Sequence, residues 1–261
     1  DINILNILYI CHLIINQIIM KNIYILLAFL VTFSVQSQRN PNQTYLSSFV
    51  YEAKEGMVDK FENAAAKKTK MFNSEEGNII LTYKVVTGPG EGQYVRFLIN
   101  QSSEDYSQDK SKEYTYWEKN VAPYANTITG TQNWALREGL NVGADGPAPK
   151  YLERSTVIVK PGMGSNVYKF LWRQGKTMDK AYEGSAVRRV FDLVSGGNTQ
   201  TIAVFRAFDE FPHWSNLTNQ SWEEMYNEEF GWNQLEIDQD AFNNSIREWG
   251  TNTILLERVD F

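Results

Sequence analysis

The residues of this chain best suited to chemistry are few. After residue 37 there is one histidine, His213, in Phe211-Pro212-His213-Trp214, and no cysteine. A lone imidazole supplies neither a zinc ligand set nor a nucleophile–base pair, so His/Cys metal centres and hydrolytic triads are excluded. The carboxylates Glu223, Glu224, Glu228 and Glu229 fall opposite Trp222, Met225 and Tyr226 on a helical projection, which makes them a solvated face. Gly162-Met163-Gly164 lacks the lysine and hydroxyl of a phosphate loop and the third glycine of a dinucleotide fingerprint. What remains is cationic and aromatic: Lys84, Tyr94, Arg96, Trp117, Trp172 and Arg206, with Asp192 and His213. A guanidinium beside a lysine and a phenol suits an anionic group, and indole rings suit a flat apolar one.

The order of these residues follows a duplication. Tyr151-Leu152 and Lys160-Pro161-Gly162-Met163 each lie 106 positions beyond Tyr45-Leu46 and Lys54-Glu55-Gly56-Met57. Lys169-Phe170 then answers Lys60-Phe61, and Phe191-Asp192-Leu193-Val194-Ser195-Gly196 answers Tyr83-Lys84-Val85-Val86-Thr87-Gly88, after a small drift in spacing.

The elements that must hold the candidates repeat as well. A strand over 46–54 stops at Gly56, and Val58, Phe61, Ala65, Thr69 and Phe72 recur at helical spacing. Strands at 79–86 and 94–99 flank the glycine- and proline-rich turn 87–92, and Tyr114, Trp117 and Val121 mark a second helix. Residues 141–150, rich in glycine and proline, form a linker. The second half reads as a strand at 155–160, a helix at 165–182, strands at 187–194 and 200–208, and a helix opened by the capping box Ser221-Trp222-Glu223-Glu224. A short helix carrying Phe242, Ile246 and Trp249 up to Gly250 follows, and then a strand from Thr253. The expected fold is therefore α+β: two ferredoxin-like β-α-β-β-α-β repeats, 45–140 and 151–261, closing a barrel within one chain. Such a unit leaves one sheet face bare, and two units cover each other's bare faces by closing the ring. If Val95, Phe97, Phe205 and Ala207 pack under the helices, strand alternation turns Arg96, Arg206, Lys84 and Asp192 into the barrel. Arg206 then pairs with Asp192, while Arg96, Lys84 and Tyr94 have no evident acid and form the better anion site.

The strands ending Lys-x-Gly-Met before a helix (Lys54, Lys160), followed by a glycine-turned hairpin, resemble the dimeric α/β-barrel superfamily in fused tandem form. The look is that of antibiotic-biosynthesis-monooxygenase-like, stress-responsive and NIPSNAP-like barrel domains. This resemblance implies a barrel, and three functions compete on it. The first is a non-catalytic binding or stress-associated barrel that holds a small, partly apolar or anionic molecule. The second is a monooxygenase-like oxidoreductase, cofactor-free with Tyr94, Trp117, Tyr168, Trp172 and His213 around an apolar cavity, or, as a lesser alternative, haem-dependent with His213 as axial ligand. The third is a structural or interaction domain whose barrel is filled by its own side chains. No cofactor is expected on the first reading.

Met20, Lys21, the apolar run from Ile23 to Phe33 and Val35-Gln36-Ser37 have the form of a secretory signal peptide, with residues 1–19 as upstream sequence. Cleavage after Ser37 would leave 224 of the 261 residues, at net charge −6. That acidity argues against nucleic acid or an anionic membrane surface as partner. A periplasmic or secreted protein is expected, and N-terminal sequencing of the exported chain should begin at Gln38. Recovery of residues 23–33 in a membrane fraction would overturn this.

Overall fold

The structure, a computed structural model, describes residues 42–74, 78–210, 219–248 and 253–259. The segment expected to be a signal peptide, and His213, Trp214, Trp249 and Gly250, lie outside them. The strands are β1 (Tyr45–Ala53), β2 (Ile79–Thr87), β3 (Tyr94–Gln101), β4 (Ala125–Leu136), β5 (Tyr151–Val159), β6 (Val187–Ser195), β7 (Thr201–Phe208), β8 (Ile246–Glu248) and β9 (Ile254–Arg258). The helices are α1 (Val58–Phe72), α2 (Ser111–Asn120), α3 (Gly164–Ala181), α4 (Trp222–Phe230) and α5 (Gln234–Ser245).

Among the described residues, eight strands form an antiparallel ring in the order β7-β6-β4-β1-β3-β2-β9-β5, and pairing of β5 with β7 closes it. Closure removes the sheet edges that would otherwise expose unpaired backbone. The first half runs β4-β1-β3-β2 and the second β9-β5-β7-β6, with joints at β2–β9 and β4–β6. β8 hangs beside the end of β5. Ile246, expected in the last helix, opens β8 instead, because α5 ends at Ser245, whose hydroxyl turns back to the carbonyl of Ala241.

Both faces of the ring are buried, by different partners. The lumen is packed by strand residues alone, among them Leu46, Tyr83, Val95, Phe97, Trp134, Phe205 and Leu256. The outer face is covered in the first half by α1 and α2, through Phe61, Ala65 and Val121 on Tyr94 and Ala125. In the second half α3, α4 and α5 cover it, through Val167, Phe170, Leu171, Tyr226 and Phe242 on Val157, Val190 and Ile202. The capping box of α4 forms as its sequence requires: the Ser221 hydroxyl accepts from the Glu224 N–H, and the Glu224 carboxylate accepts from the Ser221 N–H.

Strand phase is where the structure departs from expectation. Val95, Phe97 and Phe205 face the lumen, so Arg96, Arg206, Lys84 and Asp192 face outward under the helices. An eight-stranded ring is just wide enough to be filled by large apolar side chains, and here these took the inside.

Candidate functional site

The barrel is open at the end where β1 and β5 begin. A cavity of about 690 Å³ lies there, walled by Leu46, Leu81, Ile99, Leu152 and Phe191. Its floor is a run of rings meeting edge to face: Tyr83–Phe97 at 5.9 Å, Phe97–Phe205 at 5.6 Å and Phe191–Phe205 at 5.6 Å between centroids. The positive edge of each ring meets the negative face of the next, which fixes the floor's shape.

The linker crosses this mouth as a strap, and residues 144–149 line the cavity. Its root is Gly143, at φ +72°, where a Cβ would stand 2.2 Å from the Ala186 carbonyl oxygen. Side chains that rise from the barrel bind its carbonyls. Arg189 donates to Val142 O (2.7 Å) and Ala144 O (2.9 Å) and meets the Asp145 carboxylate at 2.7 Å. Arg258 donates to Ala148 O, and the Tyr83 hydroxyl donates to Pro149 O at 3.1 Å. Asp145, Asp209 and Glu210 stand at the rim, with Asp209 accepting from the Lys150 N–H at 2.8 Å.

The residues singled out in the sequence divide into three places. Arg96 is buried on the outer face of β3, donating to Thr82 Oγ1 at 3.2 Å and to Thr69 on α1, with its guanidinium 5.1 Å over the Trp117 ring. Burial lowers its pKa to about 10, against the pull of Tyr51 and Glu113. Tyr94 is buried beside it and donates to Glu62 at 2.5 Å, and Lys84 lies 5.5 Å over the Tyr94 ring. These four share one layer, between the sheet and α1/α2. In the second half Arg206 pairs with Glu153, and the expected partner, Asp192, instead takes Arg137 and the Tyr168 hydroxyl (3.1 Å). This correction follows from the strand phase: Glu153 lies directly opposite Arg206 in the β5–β7 ladder, while Asp192 on β6 is opposite Ile202. Trp172 is exposed on α3, 6.0 Å from Phe230. Of these residues only Arg206 reaches the cavity wall. His213 lies outside the described residues.

Sequence reasoning passed over Lys68, the most deeply buried lysine among the described residues. It is 4% exposed on α1 and bonds Glu113 on α2 and the Asn73 side chain (2.5 Å). Burial, and next the neighbouring Arg96, lower its pKa to about 8, against the pull of Glu113. Its signal was readable, since Phe61, Ala65 and Lys68 are the buried face of one helix. Arg154, Arg189 and Arg258, on the lumen face, were also passed over.

The described residues include no histidine or cysteine, and His213, the candidate axial ligand for haem, lies outside them. Between β6 and α3 the space is filled by Arg188, donating 2.7 Å to both Leu140 O and Leu171 O, so close that a Cβ at Gly175 would stand 2.5 Å from its guanidinium. Among the described residues no group of three or more His, Cys, Asp or Glu side chains is placed to hold a metal ion.

No protein-family model and no curated protein matches the sequence. Solved structures do. One is a Lactobacillus acidophilus NCFM protein provisionally named a monooxygenase, 10% identical over 83% of this chain and 94% of that one, TM-score 0.51. A provisionally named chlorite dismutase is 9% identical over 84% of this chain and 95% of its own, TM-score 0.50. A variant of the chlorite dismutase of Candidatus Nitrospira defluvii is 9% identical over 83% and 91%, TM-score 0.50. At these identities the likeness shows the fold alone: a mixed α+β chain with a closed antiparallel barrel.

Proposed function

We propose that this chain is a tandem pair of ferredoxin-like repeats that binds a small, partly apolar molecule in the barrel mouth, without catalysis, after export from the cytoplasm. The shared strand order of the two halves supports the tandem reading. The observation that carries the binding reading is the strapped cavity: about 690 Å³, apolar-walled and lying over an aromatic floor. That volume falls in the range, roughly 300–1,000 Å³, of sites that enclose small ligands. A barrel that was only structural would have little reason to keep this space beneath a pinned strap.

A second reading, monooxygenase-like oxidation of the bound molecule, is favoured by the fold likeness to the Lactobacillus acidophilus protein. It predicts consumption of dioxygen with the ligand bound, which the binding reading does not.

The cavity itself is tested by filling it. Ala207 lines the wall between Leu152 and Val187 on the neighbouring strands. Ala207→Trp should block the mouth at a stability cost of about 1–3 kcal/mol from overpacking. The unaltered protein should bind a neutral apolar fluorescent probe such as 1-aminoanthracene at one saturable site, and the variant should not. Equal binding by both proteins, or no saturable binding, would count against the reading.

A further inference from the structure

Among the described residues, main-chain bonds fix the strap to the barrel at its two ends alone. At one end Val142 and Arg188 exchange N–H···O bonds of 3.0 Å each, and Gly143 turns out of that bridge at φ +72°. At the other the Arg258 N–H donates to Lys150 O at 2.8 Å, just before β5 begins. Between them, residues 143–149 make no main-chain to main-chain hydrogen bond. Residues 143–147 are exposed, and Pro147 and Pro149 have no N–H to offer a sheet.

Side chains hold this span instead. Arg189 grips its root through Val142 O, Ala144 O and the Asp145 carboxylate. Arg258 and Tyr83 grip the far half, at Ala148 O and Pro149 O. Arg189 and Tyr83 also line the cavity, and the Tyr83 ring opens the aromatic run of its floor. Lifting the span would leave every strand of the ring paired. It would exchange hydrogen bonds at a wet surface for bonds to water, at a small net loss each. The Asp145 carboxylate is fully exposed, so its ion pair adds little hold. Segments of this kind, with exposed backbone and few buried apolar contacts, open at the low end of a fold's range.

We propose that residues 143–149 are a gate, which lifts between the Val142 bridge and the Lys150 bond to admit the ligand and is latched over it by Arg189 and Tyr83. This rests on the cavity reading and adds to it what sets the rate of entry and release. A seated molecule touches the underside of 144–149 only while the strap is down. It therefore favours the closed state by the contacts it makes there.

Stopped-flow mixing with 1-aminoanthracene reads both rate constants. A gate that is mostly closed scales the association rate constant by its open fraction. Arg189→Met should raise that constant at least about fivefold, and Tyr83→Phe, which loses one hydroxyl, at least about twofold. Loss of a wall contact alone would change release and leave association where it was. Unchanged association in either folded variant overturns the gate and leaves the cavity standing. Association by the unaltered protein already at the diffusional ceiling, roughly 10⁸–10⁹ M⁻¹s⁻¹, overturns it too. If the unaltered protein shows no saturable uptake, the cavity reading fails and the gate falls with it. Where Arg189→Met does not fold, Tyr83→Phe decides alone, because it keeps the ring that the floor needs.

Discussion

Asp238→Ala should lower folding stability by about 3 kcal/mol, near the lower end for breaking a buried ion pair. Asp238 sits on α5 at 2% exposure and ties three helices together. It pairs with Lys169 at 2.9 Å and with Arg173 on α3, and accepts from the Tyr226 hydroxyl of α4 at 2.9 Å. Lys169 is half exposed and regains water when the acid is lost, so its share is small. Arg173 is only 20% exposed and the Tyr226 residue is wholly buried, so each is left with an unmade bond in a dry setting. Asp238→Asn, which keeps an acceptor for Tyr226, should fall between the two. The effect also has a pH signature. Burial raises the pKa of Asp238, but the hydrogen bonds from Lys169, Arg173 and Tyr226 outweigh it and hold the carboxyl below its usual range. A depressed carboxylate pKa stabilises the fold above the ordinary carboxylate range, and the contribution is lost as pH falls through the folded value. Urea midpoints at pH 7 and pH 3 for the three proteins measure both effects. A loss under about 1 kcal/mol at pH 7 would show that the tie is not needed.

The second large effect concerns Lys68. Its pKa of about 8 in the folded chain compares with an ordinary value of 10.5. Below about 8 both folded and unfolded chains carry the proton, and the folded state bears the full cost of a buried ammonium beside Arg96. Between the two values the unfolded chain holds more protons, so stability rises with pH. Across the whole window the gain approaches about 3 kcal/mol. The double variant Lys68→Met/Glu113→Gln removes the cation without stranding its acid, since Asn73 still reaches position 113 (3.0 Å to the Glu113 carboxylate). The unaltered protein should therefore gain on the variant from pH 7.5 to pH 10 in denaturant titrations. Parallel stability curves would mean that Glu113 keeps Lys68 at its ordinary pKa.

Much of the frame was legible in the sequence because it is written in local signals. The helix periods, the Lys-x-Gly-Met turns, the glycine hairpins and the capping box at Ser221 each state a local rule, and the elements follow them to within a few residues. Strand phase was not legible, for a physical reason. In Tyr94-Val95-Arg96-Phe97-Leu98 both faces are buried, one by the barrel and one by the helices, so alternation alone does not say which is inside. Taking the arginines as inward inverted the picture: Arg96 and Arg206 stand on the outer face, and the lumen-facing arginines are Arg189, Arg258 and Arg154. Arg154 hid in Glu153-Arg154-Ser155-Thr156, which reads as a polar approach to a strand that in fact begins at Tyr151. β4 was unplaced for a similar reason. Its residues Asn126 to Thr131 are nearly all exposed, and the strand is held by backbone pairing with β1 rather than by an apolar pattern.

The central claim is that the strapped mouth of the barrel holds a small molecule. The most direct measurement is a native mass spectrum of the protein isolated from the cells that make it, beside one of Ala207→Trp prepared in the same way. The account predicts one small-molecule adduct on the unaltered protein, released on unfolding and absent from the variant. Identical unliganded masses for both, in protein that also fails to take up decanoate, 1-decanol or 1-aminoanthracene, would contradict it.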